Sequence, residues 1–356
     1  MDNKRNTSGS GEQGIIDRTL PEVVFPGSGI SGSDLLDLIG RIRALGADKI
    51  EINRLVLEKA GGLPEDGAFI YRIDSISALE DLSHHPFKDI VINNDIPSFE
   101  LILEELALRG RNLTIEFRAE TEEDIHCLKK LKEAGWMKAV GTLRITGLNR
   151  FITTAWLKTA LEMKCILGVK LDICPENLFY NATAVAADGL MDSADHITAS
   201  FMGYGGRYGY AALEQILTFA AVTPGRAGRG QLEALPGLAA LFSKAAGVEI
   251  PGNAPVIGKN IFVYESGIHA DGIDKNPATY EPYDPGLVGL ERKLSIGKHS
   301  GGRSVAKKLQ ELGIPAERSQ ISDFLKRIRE RSILLRRNLE DHEIADLLDR
   351  SAVSDR

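Results

Sequence analysis

The stretch Gly14-Ile-Ile-Asp-Arg-Thr-Leu20 is a short β-branched run bounded by polar residues, and it is the first of eight such runs. The others are Asp48-Lys-Ile-Glu-Ile-Asn53, Ala68-Phe-Ile-Tyr-Arg-Ile73, Asp89-Ile-Val-Ile-Asn-Asn94, Leu113-Thr-Ile-Glu-Phe-Arg118, Ala139-Val-Gly-Thr-Leu-Arg-Ile-Thr146, Leu167-Gly-Val-Lys-Leu-Asp-Ile173 and Asp195-His-Ile-Thr-Ala-Ser-Phe-Met202. Between them lie stretches with apolar residues three and four apart, such as Ser33–Ala44, Phe99–Leu108, Glu122–Ala134, Trp156–Met163 and Ala182–Gly189. Strand and helix alternating eight times over about 200 residues predicts an α/β fold, a (β/α)8 TIM barrel, with a doubly wound open sheet as the alternative.

Working outward, residues 1–13 are polar and read as a disordered leader. Residues 14–223 are assigned to the barrel, 224–303 to a linker and lid subdomain, and 304–356 to a C-terminal helical subdomain. The Gly/Arg-rich run Pro224–Gly230 marks the hinge. The 356 residues are 43% hydrophobic and 26% charged, as in an ordinary globular protein. No run of about 18 apolar residues and no signal peptide is visible, so the chain is expected to be cytoplasmic and away from membranes. Cys127, Cys165 and Cys174 form no Cys-x-x-Cys pair, which fits a reducing compartment. A net charge of −7 gives no pull toward nucleic acid, and the basic run Arg327–Arg337 carries Glu330, Ile333 and Leu334 at helical spacing, a solvated helix face.

Beyond the repeat come Tyr264-Glu-Ser-Gly-Ile-His-Ala-Asp-Gly272, then Thr279-Tyr280, then Gly297-Lys-His-Ser-Gly301: two histidines and a tyrosine in stretches read as glycine-rich loops. These segments resemble the lid of the acyl-CoA-condensing isopropylmalate synthase and homocitrate synthase family. The spacing from Asn276 to Tyr280 and around Val288-Gly-Leu290 looks most like the homocitrate branch, some of whose nitrogenase-linked members are divided between two chains. The resemblance implies that His269 is the general base, that Tyr280 serves the same site, and that Glu265, His299 and Ser300 shape the lid. It also implies a dimer in which one subunit's lid covers the other's barrel. Such chemistry takes a proton from the methyl of acetyl-CoA, and histidine is the side chain suited to that near neutral pH.

The barrel departs from the family. Members read Asp-Thr-Thr-Leu-Arg-Asp at the first strand, where the arginine polarises the ketone and the second aspartate binds a divalent metal; here Pro21 and Glu22 stand at those two places. The family's His-x-His at the seventh strand falls on Cys174 and Glu176, and its metal-facing asparagine after the eighth falls on Met202. Glu22, Cys174, Glu176 and Met202 are therefore read as vestigial, with no metal expected in this chain. An oxygen and sulfur site built from Glu22, Cys174 and Glu176 is the alternative. Arg72, Gly203, Gly205 and Arg207 keep family spacing and are expected to bind substrate. Arg72 has the competing reading of an ion-pair partner, and the glycines that of a turn.

Together these observations imply a homocitrate-synthase-like subunit that donates His269 and Tyr280 to a catalytic barrel subunit of the same family. That partner would hold Mg2+ or Mn2+, and the substrates would be acetyl-CoA and a 2-oxo dicarboxylic acid. The alternatives are a pseudoenzyme that binds acyl-CoA or a dicarboxylate, and a self-sufficient divergent enzyme.

Overall fold

Eight parallel strands close on themselves in chain order: β1 (Gly14–Asp17), β2 (Lys49–Ile52), β3 (Phe69–Ile73), β4 (Asp89–Asn93), β5 (Asn112–Ala119), β6 (Val140–Gly147), β7 (Lys170–Pro175) and β8 (His196–Ala199). This computed structural model describes residues 13–65, 68–128, 133, 139–150, 155–191, 194–224 and 230–354. Residues 1–12 of the expected leader, the end of the helix expected at 122–134, and most of the 224–230 hinge lie outside the described residues. Closure comes from β1 pairing with β8, Gly14 opposite His196 through Asp17 opposite Ala199, so the open-sheet alternative is set aside. A closed parallel barrel leaves no edge, and each strand can then be short.

The helices follow from sequence in the ordinary way. Gly32–Ala44 begins at Ser31, whose hydroxyl accepts from the Asp34 amide at 3.0 Å. It buries Leu35, Leu38, Ile39 and Ile42 against the barrel, a single stripe at three- and four-residue spacing. Each such side chain stabilises the fold by about 1.5–3 kcal/mol. The first strand is shorter than expected. After Asp17 the chain turns into a helix, Thr19–Val23, with Pro21 in its first turn, where proline's missing N–H costs nothing.

Two compact units divide after Ile250. The helix Leu235–Ala246 therefore counts with the barrel unit rather than with the lid: Lys244 reaches Asp34 at 3.0 Å. The second unit, Pro251–Arg356, joins the lid segments and the C-terminal helices in one body. Its core is Leu294, Ile296, Val305, Leu309, Phe324, Ile328, Leu339 and Ile344. Among the described residues no helix is long and apolar enough to cross a membrane.

Candidate functional site

Strands β2, β5, β6 and β7 each carry one charged residue between two aliphatic or aromatic ones: Ile50-Glu51-Ile52, Ile115-Glu116-Phe117, Leu143-Arg144-Ile145 and Leu171-Asp172-Ile173. Barrel register sets three of them side by side, Glu116 opposite Arg144 and Arg144 opposite Asp172. The result is a buried ionic network. Arg144, fully buried, donates to Asp172 at 2.7 Å, Glu51 at 2.5 Å and Glu116 at 3.2 Å, and Asp172 also accepts from the Thr198 hydroxyl at 2.9 Å.

Arg72 belongs to the same network. Its guanidinium grips Glu116 with both terminal nitrogens, at 3.1 and 2.6 Å, and donates from Nε to Glu51 at 2.5 Å. The bidentate geometry once expected for a substrate carboxylate is spent on protein carboxylates, so the ion-pair reading describes it. Burial pushes Glu116 and Glu51 toward the neutral form, but the surrounding arginines outweigh it and hold both well below the usual carboxylate range.

Toward the barrel mouth stands Arg18. Its terminal nitrogens lie 3.0 Å from Glu22, 3.5 Å from Glu116 and 3.3 Å from the Cys174 sulfur, and its Cζ sits 4.0 Å from the Tyr210 ring centroid. Burial pushes the Cys174 thiol up to about 12, outweighing the nearby Arg18 and Arg144. Asp17, wholly buried, is pushed up to about 7 by that burial and is bonded to the Thr19 hydroxyl at 2.5 Å. Thr19 in turn accepts from the Phe201 amide at 2.8 Å.

The four positions read as vestigial each have another occupation. Glu22 bridges Arg18 and the Gly206 amide, the latter at 2.8 Å. A Cβ on Gly205, whose φ is +118°, would overlap the Glu22 side chain. The glycine loop is thus packed onto Glu22, and Arg207 lies 5.2 Å from the Tyr208 ring. Gly203, at φ +63°, turns back against the Tyr210 carbonyl. Glu176 is paired with Arg118 and accepts from Asn149 at 3.2 Å. Met202 adopts a left-handed backbone, φ 57°, and its amide donates to Glu214 at 2.9 Å. Burial pushes Glu214 up to about 7. The family's divalent metal does not fit this donor set. A buried thiol in contact with Arg18, a thioether and two carboxylates already answered by arginines offer no open cluster, and among the described residues no three His, Cys, Asp or Glu side chains converge to hold an ion.

The lid segments differ from expectation in one respect. His269 lies in a helix, Gly267–Lys275, capped by the Ser266 hydroxyl, and not in a loop. Glycines 267 and 272 had suggested a loop; Gly272 is there because the Tyr280 ring lies where a side chain would go. This packing brings the His269 and Tyr280 rings to 4.8 Å between centroids, tilted by 50°. Both are exposed, Tyr280 by 44%, and neighbouring Ile268 by 76%. Below them the Glu265 carboxylate accepts from the His299 amide at 2.6 Å. Ser300 is fully buried and accepts from the Gly297 amide at 2.9 Å, while its carbonyl accepts from Arg329 at 2.8 Å. A two-stranded parallel pair, β9 (Val263–Tyr264) with β10 (Lys293–Leu294), holds the two motifs together.

Residues 256–333 match the family described as homocitrate synthase post-HMGL domain-like, which is the region of these motifs. The homocitrate synthase omega subunit of Clostridium pasteurianum is 32% identical over 339 residues, 94% of this chain and 95% of that protein. The chain belongs to the homocitrate synthase family. Homocitrate synthase 1 of Nostoc is 35% identical over 182 residues, covering 51% of this chain and 48% of that protein. The (R)-citramalate synthase of Methanocaldococcus jannaschii is 27% identical over 347 residues, 89% of this chain and 70% of that one. Among solved structures, the hydroxymethylglutaryl-CoA lyase of Pseudomonas aeruginosa superposes with a TM-score of 0.54 at 13% identity, over 67% of this chain and 94% of that one, a likeness of fold.

Proposed function

We propose that this homocitrate synthase family member is the lid-donating subunit of a two-chain acyltransferase that condenses acetyl-CoA with 2-oxoglutarate to (R)-homocitrate and CoA. The observation that carries the reading is a division of labour within the chain. His269 and Tyr280 stand exposed and adjacent, whereas the charged groups of the barrel are occupied with one another. The C. pasteurianum relative named an omega subunit supports a partner of the same family.

In this reading the partner's barrel would hold the Mg2+ or Mn2+, whose chemistry would be to polarise the ketone of the 2-oxo acid. The His269 imidazole removes a proton from the methyl of acetyl-CoA, and that carbon forms the new bond to the ketone carbon as the carbonyl π pair moves onto the ketone oxygen, which takes up a proton to become the hydroxyl of the product. Tyr280 fixes the imidazole through ring contact and offers its hydroxyl to the substrate. Thioester hydrolysis then releases CoA. The lid's exposed Ile268 and Tyr280 are the apolar surface that closes over the partner and excludes water.

Co-expression with a family member carrying the intact Arg-Asp and His-x-His motifs tests this. A stoichiometric complex that releases CoA only with 2-oxoglutarate, and only when both chains are present, is the expected result. A chain that stays alone, or that turns over unaided, overturns it.

A further inference from the structure

We infer that the Arg18 guanidinium is a built-in cation that takes the place of a metal ion at the mouth of this barrel. Two of the positions where the family resemblance puts metal ligands, Glu22 and Cys174, are both in contact with Arg18. Arg18 is 5% exposed, so its charge is not a surface feature. The same group reaches Glu116 and lies over Tyr210, so one guanidinium ties together β1, β5, β7 and the segment after β8.

The ion pairs agree. Arg72 and Arg144 are shared among Glu51, Glu116 and Asp172, while Arg18 pairs with Glu22 at 3.0 Å and with Glu116 at 3.5 Å. Removing Arg18 takes away the ion pair of Glu22 and one of those of Glu116 in low dielectric, which is more costly than losing a surface pair. A divalent ion would have to enter beside Arg18, against its charge, and displace it from both Glu22 and Cys174. The planar fork also does what a spherical ion does not. It meets a carboxylate and a sulfur edge-on while presenting its face to an aromatic ring. Glu22 then passes the constraint on to the Gly206 amide, so the glycine loop is held in place through Arg18.

The test uses the full chain and reads thermal stability and bound metal, so it is independent of whether the lid serves a partner. Arg18→Ala should lower the melting temperature by about 8 °C. Millimolar methylguanidinium should recover roughly half of that loss in Arg18→Ala while leaving the parent chain unmoved. The parent chain, dialysed against Mn2+, should retain no stoichiometric metal. An Arg18→Ala chain as stable as the parent, a methylguanidinium effect equal in both, or stoichiometric Mn2+ in the parent each overturns the inference. If Arg18→Ala does not fold, refolding it with and without methylguanidinium decides: folded chain recovered only in its presence supports the inference, and no recovery overturns it.

Discussion

The barrel mouth and the lid use the same kinds of side chain to opposite ends. In the barrel, Arg72, Arg144 and Arg18 are buried and every one of them is bonded to a carboxylate of the same chain. In the lid, His269 and Tyr280 contact each other and solvent. A polar group whose partners are all internal contributes to holding the fold, and a group left with an open side is available to a ligand. The comparison therefore separates side chains committed to the barrel interior from side chains that keep an open face.

The strongest way to break the comparison is to open the barrel network. Arg144→Ala leaves Glu51, Asp172 and Glu116 facing one another in a dry interior and should cost about 4 kcal/mol in a denaturant melt. If the variant melts like the parent, the network is not structural. The converse is His269→Ala, which should reduce CoA release by the reconstituted pair roughly 100-fold or more while leaving stability within about 0.5 kcal/mol. Loss of stability with unchanged turnover would exchange the two roles.

A third measurement sharpens the barrel side through pH. Glu214 is raised from its ordinary range to about 7, so the folded chain holds this proton more tightly than the unfolded chain does. Its contribution is fully present below the ordinary carboxylate range and is lost as pH rises through about 7. Glu214→Gln, which keeps an acceptor for the Met202 amide, should therefore be neutral near pH 5 and more stable than the parent by about 2 kcal/mol near pH 8. Parallel melting curves at both pH values would show that Glu214 is not the buried acid described. Glu51 and Glu116 have the opposite sign, losing their contribution only as the solution becomes strongly acidic.

The smallest expected effect lies in the lid. Gly272→Ala gains up to about 1 kcal/mol in helix propensity but drives a methyl into the Tyr280 ring, an overpacking cost of about 1–3 kcal/mol. The packing term wins, and a net loss near 1 kcal/mol with a changed tyrosine fluorescence is expected. A stabilised variant would mean that the His269 and Tyr280 rings are not locked together.

Most of the fold was legible. Eight β-branched runs became eight strands, and the helix expected from Ser33 to Ala44 begins at Gly32 and ends at Ala44. What sequence did not reveal was where charge goes once the barrel closes. Glu116 meets Arg18 and Arg72 across sequence separations of 98 and 44 residues, and only closure makes those meetings possible. A signal was present all the same: a charged residue flanked on both sides by aliphatic or aromatic ones in β2, β3, β5, β6 and β7. The lid motifs were legible as strings but not as structure. Gly267 and Gly272 argued for a loop on propensity, and packing of Tyr280 against Gly272 overrode it. Nor did the string for the first strand announce Arg18, because its importance lies in Glu22, Cys174 and Tyr210, three residues distributed along the whole barrel.

Glu116 answers three guanidiniums at once, and that sharing limits how the barrel interior can be altered. Replacing any one member of the network strands a charge in the interior, so a single substitution there gives a less stable protein. Such a network works as an interlock: three arginines and their carboxylates are exchanged without loss only several at a time.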